Sequence, residues 1–153
     1  MPIKAIAKAL KLDIVEIPGI CCGAFFTTNP ADMYGAVRTL LDARRKGNEL
    51  MTTCALCYNV LAQTNFTLKK DQDKREQITA FLGEEYSGEV EVLHFLQFLR
   101  DRIGFDKLNE HVRVSLNGLK IAPYYGCLLL RPYEVTKLDN PEHPTIFEDF
   151  LIS

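Results

Sequence analysis

Three segments of this chain read as short β-strands that run directly into cysteine, and that pattern limits the possible folds more than any other feature. Asp13–Ile17 alternates and closes on Pro18-Gly19, just ahead of Cys21-Cys22-Gly23. Glu49–Thr53 ends at Cys54, and Leu119–Pro123 delivers Tyr124-Tyr125-Gly126-Cys127. Segments of helical spacing lie between them. Strands alternating with helices imply a parallel sheet with helices on its faces. Such sheets bind ligands beyond the carboxyl ends of their strands. The expected fold class is therefore α/β: a Rossmann-like, three-layer domain with a central, mainly parallel sheet, helices on both faces and the cysteines clustered at strand C-terminal ends.

The intervening elements have recognisable starts and stops. Ile3, Ile6, Ala7 and Leu10 predict a helix over 3–11. Asn29 can cap a helix that begins at Pro30 and carries Asp32 in its first turn. That helix should run to about Lys46, stop at Gly47, and bury Met33, Val37, Leu40 and Leu41. Leu56, Val60, Leu61 and Phe66 predict a helix over 55–70, and a second follows over 74–82, ended by Gly83. Val90–Leu93 is a fourth strand, followed by a helix over 95–103 that stops at Gly104 and a short one over 105–112. Asn117-Gly118 is a turn. Pro132, Pro141 and Pro144 make the tail a loop until a last helix over 146–151.

With 153 residues, 47% of them hydrophobic, the chain is the size of one ordinary globular domain. A formal net charge of -2 gives no basic face for phosphate, so nucleic acid is not an expected partner. Arg44-Arg45-Lys46 reads as the solvated, cation-favouring end of a helix. No run of 18 apolar residues exists, and Met1–Leu12 lacks the features of a secretory signal. A cytoplasmic location without direct membrane insertion is the expectation. Five cysteines, an odd number, do not fit a secreted disulfide framework.

Cys54 and Cys57 stand three apart at a strand-to-helix junction, where i and i+3 share a face and both sulfurs can converge. A helix N-terminus also favours the thiolate that binds metal or attacks disulfides. Metal ligation, a thioredoxin-like redox pair and coincidence all remain open for such a pair taken alone. Cys21-Cys22 cannot form an ordinary disulfide with each other, because adjacent residues do not meet its geometry. Followed by Gly23, they offer two sulfurs where backbone can approach a ligand. The 31 residues between Cys22 and Cys54 have the length of a βαβ crossover. Cys127 is either a buried core thiol or a first ligand of another site. His94 and His111 read as structural and His143 as exposed. No Ser-His-Asp order, P-loop or dinucleotide fingerprint occurs.

Cys-Cys-Gly, then Cys-x-x-Cys, then a Tyr-Gly-Cys strand resembles the cysteine-rich CCG domain family, in its heterodisulfide reductase B-subunit branch. The resemblance implies a motif of five cysteines, present twice, each copy holding a non-cubane [4Fe–4S] cluster. By position, Cys21, Cys22, Cys54 and Cys57 match four of the first copy's ligands, and Cys127 matches the first ligand of the second. It further implies residues 1–123 as a first CCG-type domain lacking its first strand and first ligand, and 124–153 as the start of a second. The chain then reads as a trimmed segment that is inactive alone. The implied function is an iron–sulfur redox subunit that transfers electrons to, or reduces, a disulfide within a complex with other subunits. Four thiolates also suit zinc. The alternatives are a zinc-binding interaction module, or a metal-free thiol-exchange domain in which Cys54 attacks and Cys57 resolves.

Overall fold

The computed structural model describes residues 2–17, Cys22 and residues 26–153. Helix α1 spans Pro2–Ala9, and α2 spans Pro30–Arg44. The α2 start follows its sequence: the Asn29 side chain accepts from the Ala31 N–H, and Pro30 occupies the first helical position. Strand β1 (Glu49–Thr52) leads into α3 (Ala55–Lys70), α4 (Gln72–Leu82) and strand β2 (Glu91–His94). Asp71 ends α3 and caps α4, accepting from the Lys74 N–H at 3.0 Å. The strands pair in parallel, with Glu49 opposite Glu91 and Thr52 opposite His94. Arg102 reaches both of the facing carboxylates at 2.8 Å and offsets their repulsion. Helix α5 (Phe95–Phe98) runs into a π-helical turn, Leu99–Ile103, and then into α6 (Phe105–Asn109). Three short helices close the described chain: α7 (Cys127–Leu130), α8 (Tyr133–Thr136) and α9 (Ile146–Ile152).

Two apolar clusters share α3. Val60, Leu61 and Leu68 pack with Met33, Val37 and Leu40 of α2, Leu50 of β1, Ile78 of α4, and Cys22. Tyr58 and Ala62 pack with Leu96, Leu129, Leu130, Leu138 and Ile146. Polar atoms tie this second cluster together. The Asn59 amide donates to the carbonyls of Leu128 and Arg131 at 2.8 and 2.6 Å, and the Tyr58 hydroxyl donates to the Thr136 carbonyl. Arg100 donates to the Leu138 carbonyl at 2.6 Å. Helices α7 and α8 thus lie directly against α3, whose Tyr58 and Asn59 side chains donate to carbonyls of both.

The described residues form a mixed α/β structure with a two-stranded parallel sheet, smaller than the central sheet of the three-layer domain expected from sequence. Residues 13–17 and 119–123 do not form strands. Alternation makes a strand only where a neighbour completes its ladder and a layer covers its apolar side. Ile14 and Val15 are exposed, as are Val112, Val114, Leu116, Leu119 and Ile121 around the Asn117-Gly118 turn. Helices α7 and α8 replace an expected loop. Arg44 and Arg45 are more than a solvated helix end: Arg44 pairs with Glu84 and Glu89 at 2.6 Å each, and Arg45 pairs with Asp42 and Glu84. Among the described residues, no helix is long and apolar enough to cross a membrane.

The return into β2 depends on Gly88. Its φ is +84°, and a Cβ there would stand 2.7 Å from the Asn65 carbonyl oxygen of α3. Asn65 also fixes this turn, donating to the Val90 carbonyl at 2.8 Å and accepting from the Tyr86 hydroxyl. Gly88→Ala should therefore cost about 2 kcal/mol or more, the left-handed backbone penalty plus a clash with main chain that cannot move away. A urea unfolding curve with an unchanged midpoint would contradict this packing.

Candidate functional site

The site is built where β1 gives way to α3. Cys54 holds an extended backbone (φ −90°, ψ 119°) and acts as the N-cap of α3, its Sγ accepting from the Cys57 N–H at 3.5 Å. Its own N–H donates to the Thr52 hydroxyl at 3.3 Å. Cys57 follows one turn later, and its Sγ lies 3.1 Å from that of Cys22. Cys22 is 6% exposed and packs in the α2–α3 core, Cys57 is half-buried, and Cys54 is exposed. The structure therefore brings Cys22 and Cys57 into contact, with Cys54 capping the same turn. Cys21 lies outside the described residues. Cys127 begins α7, is exposed, and has none of the other described cysteines within hydrogen-bond distance of its sulfur. Among the described residues, no three Cys, His, Asp or Glu side chains stand together as a metal-holding group.

The two thiols of the Cys-x-x-Cys pair are pushed in opposite directions. The backbone N–H of Cys57 holds the Cys54 thiol below its ordinary value, helped by the Cys57 thiol and the Leu56 N–H. Burial pushes Cys57 up to about 12, with the neighbouring Cys22 and Cys54 thiols adding to the effect. Crowded sulfurs cannot all ionise together, whereas a bound cation reverses that logic. The donor chemistry fits such a cation: soft thiolates at a helix N-terminus suit iron–sulfur clusters and zinc.

His94 supports the floor of the site. It ends β2 and caps α5, with Nδ1 accepting from the Leu96 N–H at 3.3 Å. That bond leaves the proton on Nε2, which donates to the Thr53 carbonyl at 3.3 Å. The ring thus joins the ends of both strands one residue before Cys54, and it packs edge-on to Tyr58. The sequence reading of His94 as structural is too general; its place between a strand and a helix was the available signal for a cap. A groove of about 970 Å³ lies between α1, residues 12–17 and β1, with Cys22 and Cys57 on its wall. It has no signature in the sequence, because its walls come from segments distant along the chain.

The chain is similar to two methanogen proteins over nearly its whole length. It is 32% identical over 156 residues to the B subunit of the ferredoxin/F(420)H(2)-dependent CoB-CoM heterodisulfide reductase of Methanosarcina acetivorans, covering 97% of this chain. It is 31% identical to the B subunit of the ferredoxin:CoB-CoM heterodisulfide reductase of Methanosarcina mazei, again covering 97%. An 8-methylmenaquinol:fumarate reductase membrane anchor subunit of Wolinella succinogenes is 33% identical over 153 residues, covering 95%. The chain spans about half the length of these relatives, 52% in each case. No protein-family model matches it.

Burial lowers the His94 pKa from its ordinary 6.5, against the raising effect of the Thr53 bond. As pH falls below 6.5, the unfolded chain binds a proton that the folded chain resists. Stability should then decline by up to about 1.4 kcal/mol per pH unit from this one group. His94→Asn keeps a cap acceptor but loses the Thr53 bond and the titration. It should cost about 1 kcal/mol at pH 8, and it should flatten the decline between pH 6.5 and 5. Unfolding curves across that range decide the point; an unchanged slope would remove His94 as the cause.

Proposed function

We propose that this chain, a relative of the heterodisulfide reductase B subunits along nearly its full length, is part of an iron–sulfur redox subunit. In this reading, Cys21, Cys22, Cys54 and Cys57 bind a [4Fe–4S] cluster that passes electrons to, or reduces, a disulfide. The observation that carries the proposal is the meeting of Cys22 and Cys57, 35 residues apart in sequence, at the turn that Cys54 caps. The names of the relatives support a subunit that works inside a multi-subunit oxidoreductase, with the other subunits as its partners. Cys127 is assigned to a second site that begins at residue 124, after a first CCG-type domain over 1–123. The β1–α3–α4–β2 unit is read as the core of a larger Rossmann-like sheet in the complete protein, which we assign to the cytoplasm.

A thiolate-held cluster supplies an electron carrier when bound. The chain's own residues prepare its seat. Cys54 presents a sulfur already stabilised by the α3 N–H groups, while Cys57 must lose a proton that burial and its neighbours help it retain. Assembly therefore releases protons and tightens as pH rises. The apolar packing around Cys22 fixes one donor and keeps water from that side.

Anaerobic reconstitution of the full-length protein with iron and sulfide, read by metal and sulfide analysis and by EPR, tests the proposal. Cys21→Ser, Cys22→Ser and Cys57→Ser should each lower the iron bound at the first site at least tenfold, and Cys127→Ser should leave that site's signal intact. A normal cluster spectrum in any of the first three variants would sink the ligand assignment. Stoichiometric zinc without sulfide would instead favour the interaction-module alternative.

A further inference from the structure

Cys54, Cys57 and Cys22 form a graded series from solvent to core. Cys54 is exposed, Cys57 half-buried, and Cys22 6% exposed. The inner pair is already in sulfur–sulfur contact at 3.1 Å, so closing to a disulfide bond of about 2.05 Å requires about 1 Å of movement. The outer pair shares the first turn of α3. We propose that in the metal-free chain Cys22 and Cys57 form a disulfide at the edge of the core, loaded through Cys54 by exchange with a small disulfide such as oxidised glutathione.

Each step balances. The Cys54 thiolate attacks one sulfur of the small disulfide, forms a mixed disulfide and releases one thiolate. The Cys57 sulfur attacks Cys54 Sγ, giving a Cys54–Cys57 bridge and releasing the second small thiolate, which takes the Cys57 proton. Cys22 then attacks Cys57 Sγ and expels Cys54, whose sulfur takes up the Cys22 proton. Two protein thiols are oxidised, one small disulfide is reduced to two thiols, and Cys54 is restored. The Cys22 sulfur of the finished bond lies in the core and the Cys57 sulfur is half-buried, so a dithiol reductant reaches it from the Cys57 side by the reverse route.

The test is a disulfide map of metal-free, full-length protein. It is incubated with oxidised glutathione, alkylated and digested, with fragmentation between Cys21 and Cys22 to separate their assignments. A Cys22–Cys57 bridge with Cys54 alkylated is the expected end product. A Cys54–Cys57 bridge, a bridge involving Cys21, a lasting glutathione adduct on Cys54, or no disulfide at all would overturn the proposal. Cys54→Ser should slow formation of the bridge at least tenfold, and a smaller effect removes Cys54 from the route. A second measurement rests on the ligand assignment above: the oxidised chain should take up iron only after treatment with a dithiol. Equal uptake by oxidised and reduced chains, with the bridge present, would defeat that assignment while leaving the relay standing.

Discussion

Helix α3 is buried along opposite sides, and its first turn presents the candidate site. One side completes the core of α2, α4 and β1, and the other receives α7, α8 and Ile146. A helix held this way cannot rotate or slide without opening both clusters, so the direction of its N-terminus is fixed by packing far from the cysteines. The rigidity reaches the sulfurs through two short links. Cys54 caps the helix, and His94 joins the Thr53 carbonyl to the start of α5. Cys22 is held by the same core that holds α3, which explains how a residue 35 positions away meets Cys57.

The legible parts of this fold were those with local causes. Asn29-Pro30 starts α2 through its own cap, Gly83 ends α4 in the left-handed conformation, and the spacing of Leu56, Val60, Leu61 and Phe66 marks α3, with Val60 and Leu61 buried. The strand readings of 13–17 and 119–123 asked more of the sequence than it holds. A β-pattern states which side chains would share a face, and it says nothing of whether a neighbouring strand is present. Helices α7 and α8 were illegible for a related reason. Their carbonyls are satisfied by Tyr58 and Asn59, polar residues whose burial inside α3 has no local signature.

The site was partly legible. The Cys-x-x-Cys spacing at a strand-to-helix junction foretold a shared turn, and the structure has one. The convergence of Cys22 was expected from a βαβ return, yet among the described residues no strand leads into it. Core packing does that work instead. The polarity difference within the pair was also beyond spacing alone, since it depends on which sulfur faces the helix N–H groups and which faces the core.

That difference bears on how one arrangement would serve both proposed chemistries. A metal cluster needs several thiolates at once in a partly buried place, and the helix N–H groups alone favour charge only at Cys54. Burial and the neighbouring thiols hold Cys57 protonated, so a charge on its sulfur would have to be stabilised by a bound cation. Without metal, the Cys22 and Cys57 sulfurs stand 3.1 Å apart, the contact that the proposed exchange through Cys54 would convert into a bond. The geometry therefore couples the two outcomes: whatever holds the sulfurs close enough to share a cluster also holds them close enough to oxidise. On the proposed reading, the site requires a reducing environment, or a guarding reaction, for as long as it stands without metal.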